Sequence, residues 1–305
     1  MSLTAYLFPG QGSQYAGMGS ELYDRYPEAR VVFERGDQIL GLSLSKLCCD
    51  GPEETLNDTR NTQPAILASS YAALRVLKAR DLLAEADYVA GHSMGEFSAL
   101  VAAGTLTFED GLKLVRTRGE LMAQAGETNP GGMAAILGLE RPLVETICEM
   151  AREQTGEYVG IANDNCPGQL VISGAVSALE QAMTEAKEQG AKRVIRLAVS
   201  IAAHSPLMRE AAAEFNRCLD ETPFQEPLVP IVANATAGPL IDPVDIRAAL
   251  GKQLISPVQW TESIQWMLEK GVSRFVEIGP DKVLTGLVRR IDRQVERVSS
   301  EEILA

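Results

Sequence analysis

Gly91-His92-Ser93-Met94-Gly95 fits the pattern G-x-S-x-G. Its surroundings are those the pattern requires, a short apolar run from Tyr88 to Ala90 before it and a helical pattern to Ala103 after it. The flanking glycines permit a sharp turn that lifts the Ser93 hydroxyl off a sheet, and the following helix N-terminus turns N–H groups and positive dipole toward a developing oxyanion. A serine is a poor nucleophile until a base takes its proton, and histidine is the usual base near neutral pH. The chain has two histidines. His92 adjoins the serine and so points elsewhere, which leaves His204, in Ser200-Ile201-Ala202-Ala203-His204-Ser205-Pro206, as the eligible base. A glycine-rich turn with an incidental serine, and a structural histidine, are the plainer alternatives.

A third candidate comes from helical spacing. In the helix that Thr107-x-x-Asp110 opens as a capping box, Leu114, Val115, Leu121 and Met122 form an apolar stripe with Arg118 at its centre. Arg116 falls on the opposite, solvent side with Lys113, Glu120 and Gln124. A buried guanidinium must meet an anion. Spacing alone leaves two partners open, an acidic residue of the chain or a substrate carboxylate that matches the fork.

These groups need a scaffold. Thr4 to Phe8 reads as a buried strand ended by Pro9 and running into Gly10-Gln11-Gly12-Ser13-Gln14, and helices follow, including Gln63 to Arg80. Beyond Asn129-Pro130-Gly131-Gly132 the rhythm changes. Met133 to Leu139, Arg141 to Gln154, Tyr158 to Asn163, Gln169 to Gly174, Val176 to Glu188 and Arg193 to Ala198 read β, α, β, β, α, β, a ferredoxin-like order. The larger pattern then resumes with a helix from Pro206, a strand at Val229 to Ala233, helices around 243–254 and 260–270, and a strand at Arg274 to Ile278; no element is assigned beyond Asp292. The expectation is an α/β protein with a mostly parallel sheet. Residues 1–130 and 199–305 would form the large domain, and 131–198 an inserted subdomain.

Composition narrows the function. Of 305 residues, 46% are hydrophobic, enough for a large core. Lys plus Arg total 28 against 41 Asp plus Glu, a formal charge of −13 that argues against nucleic acid or an anionic membrane as partner. Five cysteines without a C-x-x-C pair, together with so few histidines, favour a reduced, cytoplasmic setting without a metal site. No signal peptide or membrane span is evident.

Phe8-Pro9-Gly10-Gln11-Gly12-Ser13-Gln14, Gly91-His92-Ser93-Met94-Gly95-Glu96, Arg116-Thr117-Arg118-Gly119, Ala203-His204-Ser205-Pro206-Leu207-Met208, Ser256-Pro257-Val258-Gln259-Trp260 and Glu277-Ile278-Gly279-Pro280 follow one another along nearly the whole chain. Together they resemble the malonyl-CoA:acyl carrier protein transacylases and the acyltransferase domains of polyketide synthases. The resemblance implies an α/β-hydrolase-like sheet with a ferredoxin-like subdomain. It implies that Ser93 takes a malonyl group from malonyl-CoA, that His204 is base and then acid, and that the phosphopantetheine thiol of an acyl carrier protein takes the acyl group, with no resident cofactor. By the same resemblance, backbone N–H groups of Gln11 and Met94 form the oxyanion hole, Arg118 holds the free carboxylate, and the Gln253 carbonyl orients His204 in place of a triad acid. Many malonyl-selective members carry Phe or another defining residue just before the histidine; here Ala202-Ala203 implies room for a substituted malonyl. An acyl-thioester hydrolase using the same Ser-His pair is the alternative. Related polyketide-associated acyl hydrolases tend to lack the arginine, and an intact Ser93 and His204 argue against a silent scaffold.

Overall fold

The computed structural model describes residues 3–305. Eleven strands follow in chain order among the described residues: β1 (Leu3–Phe8), β2 (Tyr88–Gly91), β3 (Gly131–Leu137), β4 (Val159–Cys166), β5 (Gln169–Ala175), β6 (Arg193–Arg196), β7 (Ile231–Val232), β8 (Pro239–Leu240), β9 (Val258–Gln259), β10 (Val272–Glu277) and β11 (Glu296–Ser299). They form two sheets. The first has the order β11-β10-β1-β2-β7-β8, parallel except for the antiparallel pair β7 and β8. Its inner strands β1 and β2 are almost wholly buried, as strands covered by helices on both faces must be.

The second sheet has the order β6-β3-β5-β4-β9. Strands β3 to β6 pair antiparallel, with β3 and β5 central, and the helices Arg141–Thr155 and Val176–Glu188 bury Ile147, Ala151, Leu179 and Ala182 in a separate apolar cluster with Ala134, Ile136 and Ile172. Residues 258 and 259 lie outside the segment 131–198, yet β9 adds to β4 in parallel, Asn163 opposite Val258. Backbone pairing thus stitches the two parts together beside the loop that carries Asn234, whose carbonyl accepts from the Gln259 N–H at 3.0 Å.

Three differences from the sequence expectation have physical causes. The helix expected from Gln63 starts at Thr59, because the Asp58 side chain accepts from the Arg60 N–H and caps it early. Pro64 is carried inside this helix, and its missing donor would leave the Arg60 carbonyl bare. Arg116 Nη1 donates to that carbonyl at 3.1 Å and to Asn61 Oδ1 at 2.8 Å, so Arg116 is half-buried rather than on the solvent face. Beyond Asp292, β11 extends the sheet and a capping box at Ser299 and Glu302 starts a last helix, Ser300–Leu304, a segment too short for periodicity to reveal.

Candidate active site

The loop between β2 and the helix Gly95–Ala102 turns so tightly that only glycine fits at its ends. A Cβ on Gly91 would stand 2.0 Å from the Gly95 carbonyl, and one on Gly95 would stand 2.2 Å from the Phe8 carbonyl oxygen of β1. Ser93 at the apex has φ +52° and His204 has φ +58°, both in the left-handed region that non-glycine residues rarely adopt. Each such residue costs about 1–3 kcal/mol unless its neighbours hold it there. At Ser93 the Asn234 side chain does so, its Oδ1 accepting from the Ser93 N–H at 2.7 Å and its Nδ2 donating to the Gly91 carbonyl at 2.6 Å. At His204 the next residue braces the turn, the Ser205 hydroxyl donating to the Ala202 carbonyl at 2.7 Å and accepting from the Leu207 N–H.

These two turns bring Ser93 Oγ to 2.8 Å from His204 Nε2. His204 Nδ1 lies 2.8 Å from the Gln253 carbonyl oxygen, which can only accept, so the ring proton sits on Nδ1 and the Nε2 lone pair faces the serine. His92 points away: its Nε2 is 2.8 Å from Asn165 Oδ1 and its ring packs edge-on against Trp260. Arg118 is 1% exposed, and its Nη2 donates to Ser93 Oγ at 3.1 Å and to Gln253 Oε1 at 3.0 Å, while Nη1 donates to Gln63 Oε1 at 2.9 Å. Its Nε–H is buried with no hydrogen-bond partner among the described residues. A cavity of about 280 Å³ lies between the two sheets. Gln11, Met94, Arg118, Ser93 and His204 line it, and most of the remaining wall is apolar, including Met133, Val171 and Ile201. Of the two alanines before the histidine, Ala203 is in this wall, whereas Ala202 is buried beside Gly131.

Residues 5–305 match the family of acyl transferase domains. The chain belongs to that family. It is 44% identical over 299 residues to a malonyl CoA-acyl carrier protein transacylase of Bacillus subtilis, covering 98% of this chain and 93% of the relative. An acyl carrier protein S-malonyltransferase of Vibrio cholerae has a crystal structure similar to this acyl transferase at a TM-score of 0.93 and 44% identity, over 98% of this chain and 96% of that one. A malonyl-transacylase solved in complex with its type II polyketide synthase acyl carrier protein superposes with a TM-score of 0.93 at 40% identity, over 98% and 95%.

The acyl transferase site also contains Thr59, Gln63 and Glu96, which the sequence does not single out, and it uses the side chain of Gln253 as well as its carbonyl. Thr59 donates to Gln11 Oε1 at 2.9 Å, Gln63 Nε2 donates to Thr59 Oγ1 at 3.1 Å, and Gln253 Nε2 donates both to the Ser93 carbonyl at 3.0 Å and to Glu96 Oε2 at 2.7 Å. Gln63 and Gln253 lie on the buried faces of their helices, and a glutamine in an apolar face was the available signal. Glu96 is 3% exposed; burial pushes its carboxyl up to about 7 against the bonds from Gln253 and Asn234 and the nearby Arg118 charge. Among the described residues no group of three or more His, Cys, Asp or Glu could hold a metal ion, and no helix is long and apolar enough to cross a membrane.

Burial, then the Arg118 charge, lower the His204 pKa to about 3, against the opposing bond to the Gln253 carbonyl. Burial likewise lowers that of His92. A lowered pKa favours the neutral ring as pH falls through the ordinary value of 6.5. Imidazole nitrogen NMR on the free protein is therefore expected to show the His204 ring neutral at pH 6 and protonated on Nδ1, and the His92 ring titrating below the ordinary histidine range with its neutral form protonated on Nε2. A resonance titrating near 6.5 from His204 would refute this geometry.

Proposed function

We propose that this chain moves a malonyl group from coenzyme A to the phosphopantetheine thiol of an acyl carrier protein through an ester on Ser93. The observation that carries this reading is one cavity holding a serine–histidine pair and a buried arginine with an unpartnered Nε–H. Ser93 Oγ attacks the thioester carbonyl while His204 Nε2 takes its proton. The oxyanion is received by the backbone N–H groups of Gln11 and Met94, and the collapsing intermediate releases the coenzyme A sulfur, which takes the proton from His204. The carrier thiol then repeats the sequence in reverse, giving its proton to His204 and taking the acyl group. The Gln253 carbonyl holds the ring in the productive tautomer without a triad acid.

Arg118 binds the malonyl carboxylate in this scheme. A bound carboxylate neutralises the charge that holds His204 down, so the ring accepts a proton more readily once substrate is seated. In this reading the chemistry uses no resident cofactor or metal, and its substrates are compatible with a cytoplasmic protein. Incubation with malonyl-CoA, methylmalonyl-CoA and acetyl-CoA followed by intact mass measurement tests the reading. A malonyl adduct on Ser93 that is discharged by carrier protein and persists without it supports transfer. Rapid loss to water instead supports the hydrolase.

A carrier protein is usually acidic, and this chain carries −13, so docking needs a local basic surface. Of the two clusters in the sequence, Lys187, Lys192, Arg193 and Arg196 are exposed on the small subdomain, where Arg196 is paired with Glu180. In the other, Arg297 is turned onto the Asp292 and Val295 carbonyls, but Arg289, Arg290 and Arg293 line a second pocket. Arg289 and Arg290 share the helix Val283–Ile291 with Val283, Leu284 and Leu287, which line the active cavity. Arg289→Glu with Arg293→Glu is expected to raise KM for the carrier protein, most at low salt, and to leave acylation by malonyl-CoA unchanged. An unchanged KM would remove this surface from the docking site.

A further inference from the structure

Arg118 is a buried cation with no acid in direct contact among the described residues. The acid in its network is Glu96, and the side-chain amide of Gln253 stands between them. Arg118 Nη2 donates to the amide oxygen at 3.0 Å, and the amide nitrogen donates to Glu96 Oε2 at 2.7 Å. Glu96 and Arg118 together set this orientation, because flipping the amide would put its NH₂ against the guanidinium and its oxygen against the carboxylate. The same nitrogen supports the Ser93 carbonyl, and the backbone carbonyl of Gln253 receives His204 Nδ1–H. A carboxylate touching Arg118 directly would occupy the fork that an acyl carboxylate needs. Held one amide away, it still offsets the buried charge and leaves the Nε–H open.

We propose that Glu96 is a positioning residue of the transfer reaction: its carboxylate locks the Gln253 amide and serves as a withheld counter-charge, keeping Arg118 charged but free for the substrate carboxylate. The inference rests on the reading of Arg118 as the carboxylate clamp. Three variants are compared, Arg118→Ala, Glu96→Gln and the exchange Glu96→Gln with Gln253→Glu. Each is measured at pH 8, where the Glu96 carboxyl, pushed up to about 7, is mostly ionised, for unfolding and for the rate of Ser93 acylation by malonyl-CoA and by acetyl-CoA.

Glu96→Gln keeps the shape but replaces charged hydrogen bonds with neutral ones, so the malonyl-to-acetyl rate ratio is expected to fall about ten-fold or more. The exchange variant keeps one acid and one amide but places the acid on Arg118. The ratio should fall at least as far there. Equal losses with both donors in Glu96→Gln, or a wild-type ratio in the exchange variant, overturn the proposal. If Glu96→Gln does not fold, the exchange variant decides; if neither folds, the carboxylate serves the fold and the proposal fails. An unselective Arg118→Ala would sink the clamp reading itself, whereas a selective Arg118→Ala beside an unselective Glu96→Gln sinks the Glu96 role alone.

Discussion

Ser93→Ala is expected to leave no covalent adduct after incubation with malonyl-CoA, and His204→Ala to form it roughly 10⁴- to 10⁶-fold more slowly, with both proteins folded as the parent. The size follows from the geometry. Among the described residues the hydroxyl meets His204 Nε2 at 2.8 Å, and that base is oriented by the Gln253 carbonyl on the other side of the ring. Removing either member removes the same proton transfer, so the double variant should be scarcely worse than either single one, because nucleophile and base act as one unit. Stability should change little, since alanine keeps the Cβ at both positive-φ positions and leaves the backbone strain where it was; Ser93→Gly is the variant that would relieve it. Adduct on Ser93→Ala, found by intact mass and peptide mapping, would mean that another residue is the nucleophile.

Arg118→Ala is the second large effect, and here two donors give opposite results. Loss of a desolvated, bidentate charge pair costs roughly 2–5 kcal/mol in the transition state, about 30-fold to several thousand-fold in malonyl transfer. Acetyl-CoA has no carboxylate to lose, so acylation from it should be unchanged or faster. The fold should also survive. Removing one partner of a directly paired buried acid typically costs about 3–5 kcal/mol, but Arg118 touches no acid among the described residues, and Glu96, pushed up to about 7, can take a proton when the nearby charge is gone. Equal loss with both donors, or a collapse in stability, would return Arg118 to the fold.

Much of the site is legible in the sequence because its signals are short-range. The turn at Ser93 announces itself in five residues, since backbone groups of Gly95 and Phe8 crowd both glycines and no other residue fits. Arg118 shows in helical periodicity because its burial is set by the helix that carries it. His204 follows from scarcity, as one of two histidines whose neighbour is excluded by adjacency to the nucleophile. The polar network is a different matter. Gln253 meets Ser93 across 160 residues and Glu96 across 157, and Asn234 meets Ser93 across 141. No local pattern encodes such distances: an apolar helix face can mark a glutamine as buried, but it does not name the partner.

The sequence by itself therefore determined the alternation of strands and helices, the change of rhythm at Gly131-Gly132, the strained serine turn and the presence of a cation in an apolar stripe, because each depends on neighbours within a turn or two of the chain. Only the tertiary structure decided what that cation meets. Spacing left a protein acid and a substrate carboxylate equally open; the fold sets Gln63, Gln253 and Ser93 around Arg118 and keeps Glu96 one amide away. The physical reason is that a buried charge is balanced by whatever the packing of distant elements brings within about 3 Å, and that is fixed by strand order and helix docking rather than by the order of residues along the chain.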